Sequence, residues 1–463
     1  MTLLSDIISS IQILNSKGSL EIGINGLAID SRKVKTGYLF GALRGSQLDG
    51  HDYIEKSIEL GANVIVCEEL PDHLHENVTY LKVTNSVESF ALMTRDYFDN
   101  PAEDMKMIGI TGTNGKTTVA TLAWQLIQLL GMKAGLFSTV DVRIGEESLP
   151  ATHTTPDVIQ LYKRLKEMRD AGCEYVLMEV SSHALDQKRV FGLNFDIAVF
   201  TNATRDHLDY HGDFKAYLNA KKLLFDGLKK GATAIICQDD KHADYMIQNT
   251  VAEIKTYGLR SFGELHGRLI ENNIDGLTLQ IDQVQVAFRM AGAYNAQNLL
   301  AAYGIAKTLD FEQYDILEKW SLLTGAEGRF DQIKKNGITA IVDYAHTPDA
   351  LENILNNINE MRSDRNTLIT IIGCGGDRDR GKRPMMAKVA SEKSDLTILT
   401  SDNPRTENPS EIIEEMFVGV SIEKQSKTFK ITGREEAIKL GCQLAKEGDI
   451  IVVAGKGHEK YQD

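Results

Sequence analysis

The stretch MKMIGITGTNGKTT, residues 105–118, sets the architecture of the middle of the chain. A short apolar run leads into a turn with two glycines, and a helical pattern of leucines follows. In this order, backbone N–H groups and the positive end of the helix can surround phosphate oxygens. Gly112 and Gly115 permit the turn. We expect Lys116 to reach the outer phosphates of ATP and the Thr117 hydroxyl to ligate Mg²⁺.

The turn departs from the general pattern G-x-x-x-x-G-K-[ST], because Ile110 stands where the first glycine belongs. Gly112 takes that place two residues later. Taken alone, such a loop would fit a kinase, a motor or a switch protein. The phosphate contacts that it predicts are Gly112, Thr113, Asn114, Gly115, Lys116, Thr117 and Thr118.

Short apolar runs alternate with amphipathic stretches through most of the chain, a pattern typical of parallel α/β sheets. Open α/β sheets bind ligands beyond the carboxyl ends of their strands. A polar turn after a strand needs only Gly or Asp, so His, Arg and Lys at these turns favour ligand binding. Seven runs lead into such clusters: MKMIGI before TGTNGKTT, YVLMEV before SSH, DIAVF before TNATRDH, ITAIV before DYAHTPD, LITII before GCGGDRD, DLTIL before TSDNPR, and DIIVVA before GKGHE.

Composition and charge limit the class of protein. With 463 residues, 42% hydrophobic and 25% charged, the chain is typical of globular proteins with two or three domains. A formal charge of −14 disfavours a nucleic-acid surface, which needs a basic face. No apolar run is long enough to span a membrane and no leader is recognisable, so we expect a cytoplasmic protein. Without a CxxC pair, all five cysteines are predicted to be core thiols: Cys67, Cys173, Cys237, Cys374 and Cys442.

Two boundaries divide the chain into predicted domains. The first is the acidic, proline-bearing stretch DNPAEDMK, which precedes the phosphate-loop strand. The second is GAEGRFDQ, after which a new predicted strand begins. We therefore predict an α/β protein of three domains. These are an N-terminal domain over 1–99, a central ATP-binding domain with a parallel phosphate-loop sheet over 100–328, and a C-terminal α/β domain over 329–463.

The motifs TGTNGKTT, EVSSHAL, TRDHLDYHG, GAYNAQNLLAA, DYAHTPDALE, GCGGDRDRGKRP, DNPRTENP and GKGHE follow one another along the chain. In this order the chain resembles the muramyl peptide ligases across all three predicted domains. The resemblance implies an ATP- and Mg²⁺-dependent, ADP-forming ligase with a Rossmann-like C-terminal domain. It also implies a monomer with small-molecule substrates, without nucleic acid or membrane insertion. The implied reaction adds meso-diaminopimelate to the D-glutamate of UDP-N-acetylmuramoyl-L-alanyl-D-glutamate in peptidoglycan precursor synthesis.

The implied mechanism passes through an acyl phosphate. A carboxylate is a poor electrophile and phosphorylation supplies a leaving group, while the developing charge must be met by Mg²⁺ and Lys116. Carried over by motif, Thr117, Glu179 and His207 are the metal and phosphate-side residues. The ordinary alternatives are a helix-terminal glutamate and a turn histidine paired with a neighbouring aspartate.

Lys221, in NAKKLLF, lies where the family carries a carbamylated lysine. A carbamate turns the ammonium into an anion that could bridge Mg²⁺ ions at the transferring phosphate. Its formation needs a neutral amine, which burial of the lysine supplies. The adjacent Lys222 is the alternative register, although the spacing from DYHG favours Lys221. An ordinary pair of solvated helix lysines is the other interpretation.

The resemblance also assigns contacts to the two nucleotides. The uridine nucleotide is expected on the N-terminal domain, at Ser31, Ser46, Gln47 and Leu48. The contacts to the sugar and peptide are expected at Thr154, Thr155, Ser181, Gln187 and Arg189. The adenine, ribose and interdomain positions correspond to Asn295, Asn298, Arg329, Asp343 and His346. Because two domains would then enclose one ATP, we predict open and closed forms.

The motif DNPR, residues 402–405, is the clue to the amino acid that is added. Diaminopimelate carries a second carboxylate that lysine lacks, and a guanidinium fork suits a carboxylate. We predict that Arg378 and Arg405 contact it. An arginine left without this carboxylate is costly, so lysine should be rejected. The ammonium end and loop geometry are assigned to Asp402, Asn403, Pro404, Gly455 and Glu459.

Two rival functions stay open from the sequence. A lysine-adding or folylpolyglutamate-type ligase shares the phosphate loop but should lack DNPR and the full HTTPD and SSHAL motifs. A non-ligating ATP switch or motor protein would not need the DNPR and GKGHE sites. The family usually continues a little beyond GKGHE with another acidic motif, so such a segment is expected after Asp463.

Overall fold

The computed structural model describes residues 2–45, 48–151, 153–261, 263–459 and 461–462. The predicted uridine contacts Ser46 and Gln47 lie outside the described residues. Within the described ranges, no helix combines the length and the apolar character needed to cross a membrane. The chain divides into two compact units, Met1–Gly109 with Met132–Asp196 and Ile110–Gly131 with Ile197–Asp463.

Strands and helices alternate along both units, and the predicted α/β class is confirmed. The strands are β1 (Thr2–Leu3), β2 (Ile13–Lys17), β3 (Gly23–Ile24), β4 (Gly26–Ala28), β5 (Tyr38–Gly41), β6 (Ala62–Cys67), β7 (Thr79–Val83), β8 (Lys106–Thr111), β9 (Ala134–Phe137), β10 (Asp141–Ile144), β11 (Glu147–Pro150), β12 (Tyr175–Glu179), β13 (Ile197–Phe200), β14 (Thr233–Cys237), β15 (Glu253–Gly258), β16 (Leu265–Asn273), β17 (Gly276–Ile281), β18 (Val284–Phe288), β19 (Asp331–Lys335), β20 (Ile338–Asp343), β21 (Leu368–Cys374), β22 (Leu396–Ser401), β23 (Thr428–Lys430) and β24 (Ile450–Ala454). The helices are α1 (Leu4–Ile7), α2 (Ile54–Glu59), α3 (Ser86–Tyr97), α4 (Lys116–Leu129), α5 (Val158–Asp170), α6 (Ser182–Asp186), α7 (Leu208–His211), α8 (Phe214–Asp226), α9 (Ala243–Met246), α10 (Ala293–Thr308), α11 (Gln313–Trp320), α12 (Pro348–Met361), α13 (Lys382–Lys393), α14 (Pro409–Phe417), α15 (Ile422–Gln425) and α16 (Arg434–Leu444).

The first unit holds the antiparallel pair β1–β3 and two larger groups of paired strands. One is a sheet in the order β2-β7-β6-β5-β4, in which β2 is antiparallel to β7 and the other pairs are parallel. Val64, Ile65 and Val66 of β6 are all fully buried, as expected where both faces of a parallel strand are covered. The other group runs β11-β10-β9-β12, with β9 and β12 parallel.

The second unit contains strands in the order β13-β14-β15-β16-β17-β18, parallel from β13 to β16 and antiparallel beyond it. It also contains a sheet in the order β19-β20-β24-β21-β22-β23, where the β19–β20 pair is antiparallel and the others are parallel. In β21, Ile371 and Ile372 belong to hydrophobic clusters on opposite faces of this sheet. Alternate side chains point to opposite faces, so helices are needed on both.

All seven apolar runs that precede a polar cluster are strands: β8, β12, β13, β20, β21, β22 and β24. Because β20, β24, β21 and β22 are parallel neighbours, their carboxyl ends lie at one edge of the sheet. This edge brings together the motifs DYAHTPD, GKGHE, GCGGDRD and DNPR.

The prediction that every cysteine is a core thiol is wrong for Cys442, which is exposed, whereas the other four are buried. Helix α16 buries Ala437 and Gly441. Cys442 is one residue further, about 100° around the helix, and therefore faces away from the sheet.

Candidate functional site

The phosphate loop joins β8 to α4, and its two glycines are required by close approach. A Cβ atom on Gly112 would lie 1.9 Å from the Thr201 hydroxyl, and one on Gly115, where φ is +89°, would lie 2.5 Å from Asn298 Oδ1. The Thr201 amide also donates to the Thr111 carbonyl at 3.1 Å. The strand end after β13 therefore packs against the loop and leaves no room for a side chain at Gly112.

Gly112→Ala is expected to destabilise the fold by about 1–3 kcal/mol, the usual cost of overpacking, and to weaken ATP binding. Chemical denaturation and calorimetric titration with ATP would measure the two effects. Gly131→Ala is the matched control, since Gly131 has φ +86° but no described heavy atom within 4 Å of the place that a Cβ would take. Equal losses from both variants would mean that backbone strain, and not the contact with Thr201, is responsible.

Two lysine side chains converge on one carbonyl of the loop. Lys116 Nζ donates to the Gly112 carbonyl at 2.9 Å and to the Thr113 carbonyl at 2.8 Å, and Lys221 Nζ donates to the Gly112 carbonyl at 2.7 Å. Lys221 is 1% exposed. Burial, and then the charge of Lys116, lower the pKa of Lys221 well below its usual value. A neutral amine at Lys221 is therefore the form that this environment favours.

The neighbouring Lys222 has a different environment. It is also buried, but its ammonium pairs with Asp226 one turn along α8. Lys222 thus has a carboxylate partner within its own helix, an ordinary structural role. Of the two lysines left open by the sequence, Lys221 is the one whose amine contacts the phosphate loop.

Asp206, which the sequence offered only as an ordinary ion-pair partner of His207, lies near Lys116 and Lys221. Burial raises its pKa, but His207, His346, Lys116 and Lys382 together outweigh that effect, and the pKa is lowered. His207 Nε2 lies 3.3 Å from Asp206 Oδ2, and the His207 side chain is 42% exposed. Asp206 therefore places a carboxylate among the basic side chains of His207, His346, Lys116 and Lys382. The sequence feature that could have pointed to Asp206 is its position directly before His207 in the motif TRDH.

Arg329 reaches the phosphate loop. Its Nη2 donates to the Thr117 hydroxyl at 3.1 Å, and its guanidinium lies 4.3 Å above the ring of Tyr344. Both oxygens of the buried Asp343 accept backbone amides, from Phe330 at 2.6 Å and from Ala345 at 2.7 Å. Asp343 thus holds the segment that carries Arg329.

The remaining predicted ATP contacts are placed nearby. Burial lowers the pKa of His346, whose Nδ1 lies 3.0 Å from the Tyr344 carbonyl. Asn295 donates to the Ala291 carbonyl at 2.7 Å and accepts from Asn298 at 3.2 Å. Since Asn298 also contacts the Gly115 position, this asparagine pair supports the turn at the start of α4.

Asp349 in α12 is a residue that was not predicted from the sequence. Its Oδ2 accepts from Asn114 Nδ2 at 3.0 Å and from the Thr204 hydroxyl at 3.2 Å. Burial raises its pKa. The C-terminal part of the second unit therefore touches the phosphate loop through Asp349 as well as through Arg329.

The motifs DNPR and GKGHE meet at the edge of the six-stranded sheet. Asn403 Nδ2 donates to Glu459 Oε2 at 3.0 Å, and a Cβ on Gly455 would lie 2.9 Å from Asp402 Oδ2. Lys456, also not predicted from the sequence, donates to Asn403 Oδ1 at 2.8 Å and to Glu459 Oε2 at 3.0 Å. These residues form one polar cluster with carboxylates suited to an ammonium group.

The two predicted arginines lie on adjoining loops. Arg405 Nη1 donates to the Gly376 carbonyl at 2.7 Å, and the Gly376 amide donates to the Asn403 carbonyl at 2.9 Å. A Cβ on Gly376 would lie 1.9 Å from the Pro404 carbonyl oxygen, so the loops are tightly packed. Arg378 follows on the first of these loops, and both arginine side chains are exposed.

In the first unit, a hydrogen-bond network connects the predicted sugar and peptide contacts. The fully buried Glu179 accepts from the Thr139 amide at 2.5 Å and from the Thr139 hydroxyl at 3.1 Å. Thr154 Oγ1 lies 3.1 Å from the same hydroxyl oxygen. Thr155 Oγ1 donates to the Glu179 carbonyl at 2.8 Å. Thr139 was not predicted from the sequence.

Arg189 extends this network. It donates to the Thr155 carbonyl at 2.9 Å and through Nε to Gln187 Oε1 at 2.9 Å. The Ser181 amide donates to Thr155 Oγ1 at 3.2 Å, and the Ser181 hydroxyl caps α6. Of the predicted uridine contacts, Ser31 is buried and Leu48 is 67% exposed.

Comparison with known proteins assigns the family. The Mur ligase family catalytic domain matches residues 23–96, the Mur ligase middle domain 110–306, and the Mur ligase glutamate ligase domain 328–457. The protein named UDP-N-acetylmuramoyl-L-alanyl-D-glutamate--2,6-diaminopimelate ligase of Bacteroides fragilis is 48% identical over 461 residues, covering 99% of this chain and 95% of that protein.

Solved structures agree with the sequence comparison. A structure of a UDP-N-acetylmuramoyl-L-alanyl-D-glutamate--2,6-diaminopimelate ligase superposes with a TM-score of 0.71 at 34% identity, covering 100% of this chain and 95% of the other. The MurF ligase of Thermotoga maritima in complex with ADP has the same fold, with a TM-score of 0.62 at 18% identity over 92% of this chain and 93% of the other. Together with the phosphate loop, these matches show that the chain belongs to the Mur ligase family of ATP-dependent ligases.

Proposed function

We propose that this chain adds meso-diaminopimelate to the D-glutamate of UDP-N-acetylmuramoyl-L-alanyl-D-glutamate, with ATP as the phosphoryl donor. Relatives that carry the corresponding name are 46–48% identical over nearly the whole chain. The observation that carries the proposal is the loop pair at the sheet edge. It presents Arg378 and Arg405 beside the polar cluster of Asn403 and Glu459. A zwitterionic amino acid with a second carboxylate matches these charges.

In the first step, the D-glutamate carboxylate attacks the γ-phosphorus of ATP, and ADP leaves. The phosphate loop binds the phosphates through its backbone amides, with Lys116 as the mobile positive charge. In the structure, Lys116 Nζ donates to the carbonyls of Gly112 and Thr113. We expect it to exchange them for phosphate oxygens. Arg329, held by Asp343, adds a second positive charge next to Thr117.

In the second step, the free amine attacks the acyl carbon, a tetrahedral intermediate forms, and inorganic phosphate leaves as the amide is made. The amine must lose its proton to attack. Asp402, Asn403 and Glu459 orient the ammonium-bearing end, and the arginines orient the distal carboxylate. The cluster at the sheet edge thus acts by positioning, while Pro404 and Gly455 shape the loops.

We propose that the reaction also uses Mg²⁺. Magnesium takes oxygen ligands, usually one or two carboxylates with phosphate oxygens and water. The Thr117 hydroxyl, the Glu179 carboxylate and a carbamate on Lys221 are donors of this kind, and His207 is a fourth candidate. The lowered pKa of the buried Lys221 supports the carbamate. When bound, Mg²⁺ would neutralise charge on the transferring phosphoryl group.

The sugar–peptide part of the substrate is assigned to Thr154, Thr155, Ser181, Gln187 and Arg189, and the uridine part to the region of Ser31 and Leu48. Asn295 and His346 are assigned to the ATP side. We also propose the division into domains over 1–99, 100–328 and 329–463. The family matches over 23–96, 110–306 and 328–457 support it. A cytoplasmic, monomeric enzyme acting on small molecules accords with this assignment.

Phosphate release from ATP in the presence of the UDP-linked dipeptide tests the proposed function. We expect release with meso-diaminopimelate and a kcat/KM for L-lysine lower by on the order of 10⁴-fold, since an unpaired arginine penalises the wrong substrate. A preference for lysine would identify a lysine-adding ligase. Turnover with a folyl substrate would identify a folylpolyglutamate-type ligase. Steady hydrolysis without any amino acid would favour a switch protein.

A further inference from the structure

Glu407, just beyond DNPR, joins the two loops that carry Arg378 and Arg405. Its Oε1 accepts from the Asp377 amide at 2.6 Å and from Arg383 Nη2 at 2.8 Å. Its Oε2 accepts from Arg383 Nη1 at 3.0 Å and from Arg380 Nη2 at 2.8 Å. One carboxylate therefore connects the loop after β21 to the loop after β22.

Arg383 is the fixed end of this connection. Its side chain is 1% exposed, and it also donates to the Gly375 carbonyl at 3.2 Å and to Glu415 Oε2 at 2.7 Å. A buried guanidinium is stable only with acidic partners, and its charge-assisted hydrogen bonds are short and directional. The hydrogen bond from Arg383, followed by that from the Asp377 amide, holds the pKa of Glu407 at about 2. Glu407 is therefore an anion throughout the working pH range.

Each of the two loops that meet at Glu407 contains a residue in an unfavourable backbone conformation, which side-chain and backbone contacts must stabilise. Asp377 and Arg405 have φ of +52° and +51°, in the left-handed region that non-glycine residues rarely adopt. Such residues persist where the surroundings over-determine them, and they cluster at ligand sites. The Thr406 hydroxyl donates to Asp377 Oδ1 at 2.8 Å, which is a further side-chain link between the same loops.

We propose that Glu407 is a positioning residue for amino-acid selectivity. It sets the spacing between the Arg378 loop and the Arg405 loop, with Arg383 as its buried anchor, so that both guanidinium groups can meet one distal carboxylate. Both carboxylate oxygens of Glu407 accept hydrogen bonds from protein groups, so Glu407 acts through the loops that it connects. The inference rests on the proposed function, because it takes the amino acid to be meso-diaminopimelate.

Glu407→Ala and Glu407→Gln test the inference in the full chain, assayed with the UDP-linked dipeptide, ATP and either amino acid. For Glu407→Ala we expect KM for meso-diaminopimelate to rise by about 10²-fold, the usual effect of misplacing a binding group by about 1 Å. The kcat and the KM for ATP should change less than about threefold, because the phosphate loop is untouched. Glu407→Gln keeps an acceptor for the Asp377 amide, so its KM should lie between those of the wild type and Glu407→Ala.

Glu415→Ala is the matched control. Glu415 pairs with the same Arg383 and lies 3.6 Å from Arg380, but it stands on α14, beyond the DNPR loop. We expect its KM for meso-diaminopimelate to stay within about threefold of the wild type. Equal KM increases in both alanine variants, or an unchanged KM and selectivity in Glu407→Ala and Glu407→Gln, would overturn the inference. A wild-type enzyme that does not use meso-diaminopimelate would instead overturn the proposed function itself.

Discussion

Lys221→Ala is expected to lower kcat for phosphate release by about 10³-fold, the size of effect seen when a preorganised charge is removed from a transition state. Lys221 is buried, hydrogen-bonded to the phosphate-loop carbonyl of Gly112, and held near the charge of Lys116. Because burial favours its neutral amine, Lys221 is the residue suited to react with carbon dioxide and become an anion. ATP affinity should change less than about threefold, since the loop amides remain.

Lys222→Ala is the matched control for this prediction. Lys222 is adjacent and buried, but it pairs with Asp226. We expect kcat to stay within about threefold of the wild type, because the phosphate loop keeps its contacts. Carbon-13 NMR with labelled bicarbonate should show a carbamate signal in the wild type and in Lys222→Ala, and none in Lys221→Ala. Full activity of Lys221→Ala, or an unmodified Lys221 in bicarbonate, would refute the assignment.

Arg405→Ala is expected to lower kcat/KM for meso-diaminopimelate by about 10³-fold and to remove most of the discrimination against L-lysine. The guanidinium donates to the Gly376 carbonyl through Nη1, and a guanidinium has five N–H donors, enough to pair with a carboxylate as well. Arg405→Lys should lose nearly as much, because an ammonium cannot form the bidentate pair. The dissociation constant of ATP should stay within about threefold, since the phosphate loop is separate from DNPR.

Steady-state kinetics with both amino acids would measure the change at Arg405. Arg365→Ala is the control. Arg365 is an exposed arginine just before β21 of the same six-stranded sheet, and the described residues accept no hydrogen bond from its guanidinium. Its kcat/KM should match the wild type. A preference for meso-diaminopimelate that survives both substitutions at Arg405 would contradict the role assigned to DNPR.

The local sequence was sufficient to find the strands that carry the site. Each apolar run before a polar cluster is a strand, because a short apolar segment flanked by turn residues has few other ways to bury its side chains. Gly112 and Gly115 could also be recognised from the local sequence, because only glycine tolerates the close approach that the phosphate loop requires. The resemblance then placed Lys221, and the structure adds the burial that its chemistry needs.

The burial of the cysteines could be predicted only in part. A cysteine is buried more often than exposed, and this tendency held for Cys67, Cys173, Cys237 and Cys374. Cys442 is exposed because of the rotation of α16 on its sheet. That rotation depends on which face of α16 packs against the sheet. Ala437 and Gly441, which form this face, are small residues and predict it only weakly.

Motif order and strand ends were readable from the chain alone, because each depends on residues within one short segment. The contacts of Asp349 with Asn114 and of Lys456 with Asn403 were not, since each joins two segments distant in sequence. Glu407 is the clearest case. It meets Asp377 and Arg383 only because β21 and β22 are parallel neighbours that end at the same edge. Strand pairing of this kind is a property of the folded sheet, where segments distant in sequence share one surface.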